Sequence, residues 1–122
     1  MLHRALSPAA MLDLAERFRA LGEPARLAIL NALREGERTV GELVEATGQA
    51  QANVSRHLAV LHGAGFVSRR RDGAFVRYTV SDPQVYQLCD LMCGRIERDA
   101  EAMARAARCW GGSTMLVVLV PG

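Results

Sequence analysis

Lysine is absent from this 122-residue chain, so all fifteen cationic side chains are arginine. A GC-rich genome accounts for that bias by itself. It also makes every basic contact a guanidinium fork, suited to phosphate or guanine. Aromatic residues are scarce at 5% while half the chain is apolar, so a core has to be built mainly from Leu, Val and Ala. There are three cysteines, an odd number that does not fit a secreted disulfide framework. No apolar run approaches the roughly 18 residues needed to cross a bilayer. The N-terminal stretch MLHRALSPAAMLDLAERF carries charges throughout, unlike an export signal. A cytoplasmic location, reduced thiols and no membrane association are expected. The length suits one domain with a modest core. A net charge of +2 and a pI near 8.7 are too mild to identify a nucleic-acid partner.

Helix signals are frequent. Ser7 can cap a helix with Pro8 in its first turn, whose apolar stripe is Met11, Leu14, Phe18 and Leu21. Gly22 breaks it and Pro24 starts a second, with Leu27, Ile29, Leu30 and Leu33 expected inside and Gly36 closing it. Thr39-Val-Gly-Glu42 reads as a capping box for a short helix reaching about Ala46. After a turn at Gly48, a further helix spans roughly Ala50 to His62 and buries Val54, Leu58 and Leu61 at i, i+4 and i+7. A short helix, a glycine turn and an amphipathic helix form the pattern of a helix-turn-helix.

The stretch FVSRRRDGAFVRYTV follows, in which Asp72-Gly73 predicts a type I′ hairpin turn and a two-stranded wing. Asp82-Pro83 opens the longest helix, from Pro83 to about Arg108, with Val85, Leu88, Met92, Ile96 and Met103 as its apolar positions. Gly111-Gly112 is expected to end it. The domain is thus 1–112, with terminal helices at about 8–21 and 83–108, followed by an apolar tail at 113–122. Within that tail MLVVLV suits a strand, a cover for an apolar groove, or no fixed structure. The fold class is mainly α with a small β-hairpin.

Enzyme chemistry finds little support. No glycine-rich phosphate loop, HExxH or GxSxG occurs, and His3, His57 and His62 have no ligand spacing among themselves.

The order of helices, helix-turn-helix, basic hairpin and long helix resembles the ArsR/SmtB family of winged helix-turn-helix repressors. LGEPARLAILNAL, TVGELVEATGQAQANVSRHLAVLHGAGFV and RRDGAFVRYTV carry the resemblance, over roughly Leu14 to Ala107. It implies a homodimer joined through the first and last helices, bound to a palindromic double-stranded operator and released by an inducer. It implies no cofactor for DNA binding itself.

On the Ala50–His62 helix the outward residues are Asn53 and Arg56, with Gln51 and Ser55 near the entering turn. These are side chains that pair with base edges in the major groove. His57 lies nearer the buried flank, where a phosphate contact and a packing role are both open. A Ser or Thr cap is usual in the family where Ala50 stands. Arg69, Arg70, Arg71 and Arg77 bracket the hairpin. In isolation they read as a charged edge discouraging sheet-to-sheet association; beside a helix-turn-helix they read as a DNA contact. From Glu37 to Val80 six arginines stand against four acids.

Relatives that sense zinc or cobalt use the last helix, and the matching positions here hold Asp82, Gln84, Arg95 and Arg98. Only the first of these suits a metal. The family's other site, a cysteine pair on the first helix of the helix-turn-helix, matches GELVEATG and has no thiol. That leaves Cys89 and Cys93, one helical turn apart, with Cys109 as a third candidate that joins only if the helix ends near Arg105. If the last helices cross as in the family, Cys89 and Cys93 of both subunits lie near the twofold axis. Three readings stay open. They are thiolate sensing of As(III) or another soft metal ion, a redox or reactive-sulfur switch, and simple packing of small apolar groups. A repressor with no inducer, and a winged module that binds protein and not DNA, are the remaining alternatives.

Overall fold

The computed structural model describes residues 5–109. Its order is α1 (Pro8–Leu21), α2 (Pro24–Ala32), a 3-10 turn (Leu33–Glu35), β1 (Arg38–Thr39), α3 (Val40–Thr47), α4 (Gln51–Gly63), β2 (Val67–Asp72), β3 (Phe75–Val80) and α5 (Gln84–Cys109). Two compact units are present, the first running to Asp82 and the second beginning at Pro83. The expected Gly111-Gly112 stop and the 113–122 tail lie outside the described residues, as does His3. No described helix is long and apolar enough to cross a membrane.

Local signals in the first unit act as the sequence suggests. Ser7 accepts from the Ala10 N–H and caps α1. In the box at α3, Thr39 Oγ1 accepts from Glu42 N–H at 3.2 Å and Glu42 Oε1 accepts from Thr39 N–H at 2.8 Å. Gly48 ends α3 at φ 73°, in the left-handed region, with its N–H donated to Val44. That geometry is cheap only for glycine, and it turns the chain sharply enough for α4 to fold back on α3. Gln49 fixes the turn to α2 by donating Nε2–H to the Ala25 carbonyl at 3.0 Å.

The core lies among α2, α3 and α4. Ile29, Leu30, Leu43, Val54, Leu58 and Leu61 are essentially inaccessible, and Leu33 and Val67 nearly so. Leu27 departs from expectation, being 41% exposed. Two residues of helix place it about 200° around from Ile29, away from the stripe that faces α3 and α4.

The wing also differs from the expected pair of strands. It is a three-stranded antiparallel sheet in the order β1-β3-β2, because Arg38 and Thr39 pair with Tyr78 and Arg77. Asp72 pairs with Phe75, which leaves Gly73-Ala74 as the loop. Only Gly73 has positive φ there. That is the II′ pattern with glycine first, and not the I′ turn centred on Asp72-Gly73.

In the second unit α5 runs unbroken for 26 residues. Leu88, Leu91, Met92, Ile96 and Met103 are all exposed along it.

Two glycines near the helix-turn-helix should respond oppositely to alanine. Gly48→Ala is expected to destabilise by about 1–2 kcal/mol, since a Cβ is strained in the left-handed region. Gly41→Ala is expected to stabilise by roughly 0.5–1 kcal/mol, because Gly41 sits within α3 where a Cβ meets only ordinary contact with Thr39. Urea denaturation of both variants checks the pair.

Candidate functional site

The outward face of α4 follows from what its inner face buries. Val54, His57, Leu58 and Leu61 occupy an arc of about 100° around the helix, leaving the rest to solvent. Gln51, Asn53, Ser55 and Arg56 are all exposed. Gln51 and Ser55 flank one edge of the open arc and Asn53 the other. Ala52 and Ala59, which sequence reasoning passed over, are exposed at its middle beside Arg56. Small residues there let the helix axis approach a surface closely, and their methyl groups suit contact with a thymine methyl. The signal was the helical angle, which polarity alone does not reveal.

Arg56 donates Nη2–H to Asn53 Oδ1 at 3.1 Å. The bond leaves the Asn53 amide protons and most of the guanidinium available to a ligand. At the start of α4, Ala50 offers no side-chain cap. The first backbone N–H groups of the helix are open to an external acceptor at the positive end of the helix dipole.

His57 is corrected out of the DNA-facing set. It is 6% exposed, with Nδ1 lying 3.2 Å from Arg26 Nη1. Burial, followed by the charges of Arg56 and Arg26, holds its pKa below the ordinary 6.5 against an opposing effect of Glu23.

Sheet register divides the four wing arginines. Arg70 stands opposite Arg77, while Arg69 faces Tyr78 and Arg71 faces Val76. Opposite residues share a face, so Arg69 and Arg71 project from one side and Arg70 and Arg77 from the other. Like charges directly opposed repel, and carboxylates relieve the second pair. Arg70 makes a bidentate contact to Glu37 at 2.8 and 2.7 Å, and Arg77 donates to Asp72 at 2.7 Å. Those hydrogen bonds are the main cause holding the Glu37 and Asp72 carboxyls below their usual range. Arg69 and Arg71 are exposed and form no ion pair with a described residue. The four arginines are thus not one equivalent set.

Cys89 is half-buried and Cys93 exposed, both as free thiols one turn apart on α5. Cys89 borders the exposed Leu88–Met92–Ile96 stripe. Cys109 is the last residue of the same unbroken helix, sixteen residues and about 24 Å beyond Cys93. The early helix end it needed to join the pair does not occur, so within one chain it is no part of that site. Among the described residues no group of three or more His, Cys, Asp or Glu could hold a metal ion. Arg95, at an old family metal position, is occupied by Asp99 at 3.0 Å.

Replacing Glu37 tests the wing's charge pairing. Glu37→Gln is expected to free Arg70 and steepen the slope of log affinity against log salt on random duplex by about one. Acid should act likewise. Because Arg70 depresses the Glu37 pKa, the pair's contribution to stability is complete above the ordinary value of 4.5 and is lost as pH falls through the lowered one. A slope unchanged in Glu37→Gln counts against the pairing.

Comparison with known proteins gives concordant matches. The family model for bacterial regulatory proteins of the arsR family matches residues 23–69. A probable mercury resistance operon repressor of Streptomyces lividans is 51% identical over 71 residues, 58% of this chain, and the match spans 57% of that repressor's length. The HTH-type transcriptional regulator Rv0081 of Mycobacterium tuberculosis is 36% identical over 104 residues, covering 82% of this chain and 91% of the relative. Its crystal structure superposes with a TM-score of 0.71 at 35% identity, over 81% of this chain and 99% of that one. The homodimeric winged helix-turn-helix DNA-binding domain Mb0332 of Mycobacterium bovis gives 0.69 at 31%, over 84% and 95%. With its helix-turn-helix and three-stranded wing, the chain belongs to the arsR family of winged helix-turn-helix transcriptional regulators and is not an enzyme.

Proposed function

We propose that the protein is a homodimeric repressor that reads a palindromic operator with Gln51, Asn53, Ser55 and Arg56. Arg69 and Arg71 grip the flanking backbone, and Arg70 and Arg77 brace the wing. The observation that carries the reading is the exposed face at the start of α4: Gln51, Ala52, Asn53, Ser55 and Arg56, beside an uncapped helix start and over a buried apolar stripe. Salt dependence tests it. Arg69→Ala and Arg71→Ala are each expected to weaken binding to all sequences and lower the salt slope by about one. Arg56→Ala should cost about 1–3 kcal/mol and relax preference at one base position. Salt-independent binding of random duplex would favour a protein-binding module.

Dimerisation is supported by the unpaired apolar side chains. Among the described residues, ten of the thirteen exposed large hydrophobic side chains lie on α1 or α5 or immediately before α1, and stripes of that kind ordinarily mark an interface. The homodimeric structure of Mb0332 is consistent with this.

For release from DNA, the protein senses a soft metal or metalloid ion through the Cys89 and Cys93 thiolates. Two thiols per chain are too few for a three- or four-coordinate ion, so the site draws on both subunits at the dimer seam. Binding there changes how the long helices cross and moves the reading helices out of half-site spacing. Mercury, named for the Streptomyces lividans relative, belongs to the same soft class as As(III) and Cd(II). Release of DNA by arsenite, cadmium or mercuric ion is expected to vanish in Cys89→Ser and Cys93→Ser proteins. Release that persists in both variants refutes thiol sensing, and release by polysulfide alone favours the sulfur-species reading.

A further inference from the structure

One guanidinium joins three elements behind the reading face. Arg26, in the first turn of α2, donates Nε–H to the Ala20 carbonyl at 2.6 Å and Nη2–H to the Arg19 carbonyl at 3.2 Å. Those carbonyls end α1, at the negative end of its dipole. The remaining terminal nitrogen, Nη1, lies 3.2 Å from His57 Nδ1. A guanidinium has donors and no acceptor, and stays charged at any working pH. His57 must therefore accept at Nδ1 and carry its single proton on Nε2. An imidazolium has no acceptor left, so protonation removes the bond and sets two cations against each other.

His57 sits at the edge of the buried arc of α4, one turn beyond Asn53, and among the described residues it is the one buried polar side chain. Arg56, its neighbour in sequence, is bonded to Asn53. The rotation of α4 about its own axis decides where Asn53 and Arg56 point. The apolar contacts of Val54, Leu58 and Leu61 set which side of α4 faces inward, and a directional hydrogen bond at the arc's edge adds a finer restraint on its rotation.

We infer that Arg26 and His57 are positioning residues for sequence reading: the guanidinium holds neutral His57 and so locks the rotation of α4, and protonation of His57 releases the lock. This rests on the reading that α4 enters the major groove. The charged groups acting on His57 are Arg56 from α4 itself, and Arg26 and Glu23 from α2 and its cap; α1 gives Arg26 two carbonyls, and its Asp13, Glu16, Arg17 and Arg19 line the cavity that Arg26 borders. Two of the three groups acting on His57 are cations, so the neutral form prevails near neutrality. Because the native pKa is lowered, the lock contributes in full above 6.5 and is lost as pH falls through the lowered value.

The test uses full-length protein and two probes, a duplex enriched by the wild type from a randomised pool and a random-sequence duplex. At about pH 7.5, His57→Leu is expected to lose about tenfold in affinity for the enriched duplex, while binding random duplex with an unchanged salt slope. His57→Asn, whose side-chain oxygen can stand where Nδ1 stood, should restore most of that loss. On titration downward from there through 6.5 and below, as His57 takes up a proton, the wild type's preference for the enriched duplex should decline and that of His57→Asn should not. Arg26→Lys keeps the charge but has no planar fork to hold three acceptors, and should fall with His57→Leu; it carries the test if His57→Leu does not fold. A wild type that enriches no duplex overturns the groove reading and the lock together. A wild type that discriminates, matched by Arg26→Lys and by an equal pH decline in His57→Asn, overturns the lock alone.

Discussion

The first unit depends on one packing arrangement: the inner stripe of α4 pressed between α2 and α3. Val54, Leu58 and Leu61 have no accessible surface to speak of, and neither do Ile29, Leu30 or Leu43. Each such side chain contributes on the order of 1.5–3 kcal/mol when taken from water. Once that stripe is fixed inward, geometry leaves the opposite arc no choice but to face solvent. The surface proposed to meet DNA is thus a consequence of the core. A substitution at Leu58 would alter it without touching a single outward residue.

The wing shows how charge is distributed by register. Four arginines within nine positions would be a strongly repulsive cluster in a flat two-stranded ribbon. Alternation sends two to each face, and Glu37 and Asp72 neutralise the pair that stands opposed. Exposed pairs of this kind add little to stability. Their effect is selective: two guanidinium groups are held to the scaffold and two remain available to phosphate.

Features set by neighbouring residues were legible in the sequence. The Thr39–Glu42 box, the glycine turn at 48 and the period of Val54, Leu58 and Leu61 need no knowledge of distant partners, and each was found where expected. Asp72-Gly73 announced the hairpin, yet the turn fell one residue later because the last rung joins Asp72 to Phe75. Long-range pairings were not legible. A two-residue β1 has no periodicity, and its identity comes from Arg77 and Tyr78 some forty residues on. Glu37 meets Arg70 across 33 residues and Arg26 meets His57 across 31. That is why the wing arginines looked alike and His57 looked open to DNA. Leu27 was misjudged for a simpler reason, since apolar character alone does not say which side of α2 is inside.

Thr39 belongs at once to β1, through its pairing with Arg77, and to α3, as its cap. No flexible joint separates the two. A load applied at the hairpin tip is therefore transmitted through a single peptide unit to the root of the helix-turn-helix, and the arm behaves as a cantilever clamped at its base. Bending the arm would therefore strain the first turn of α3.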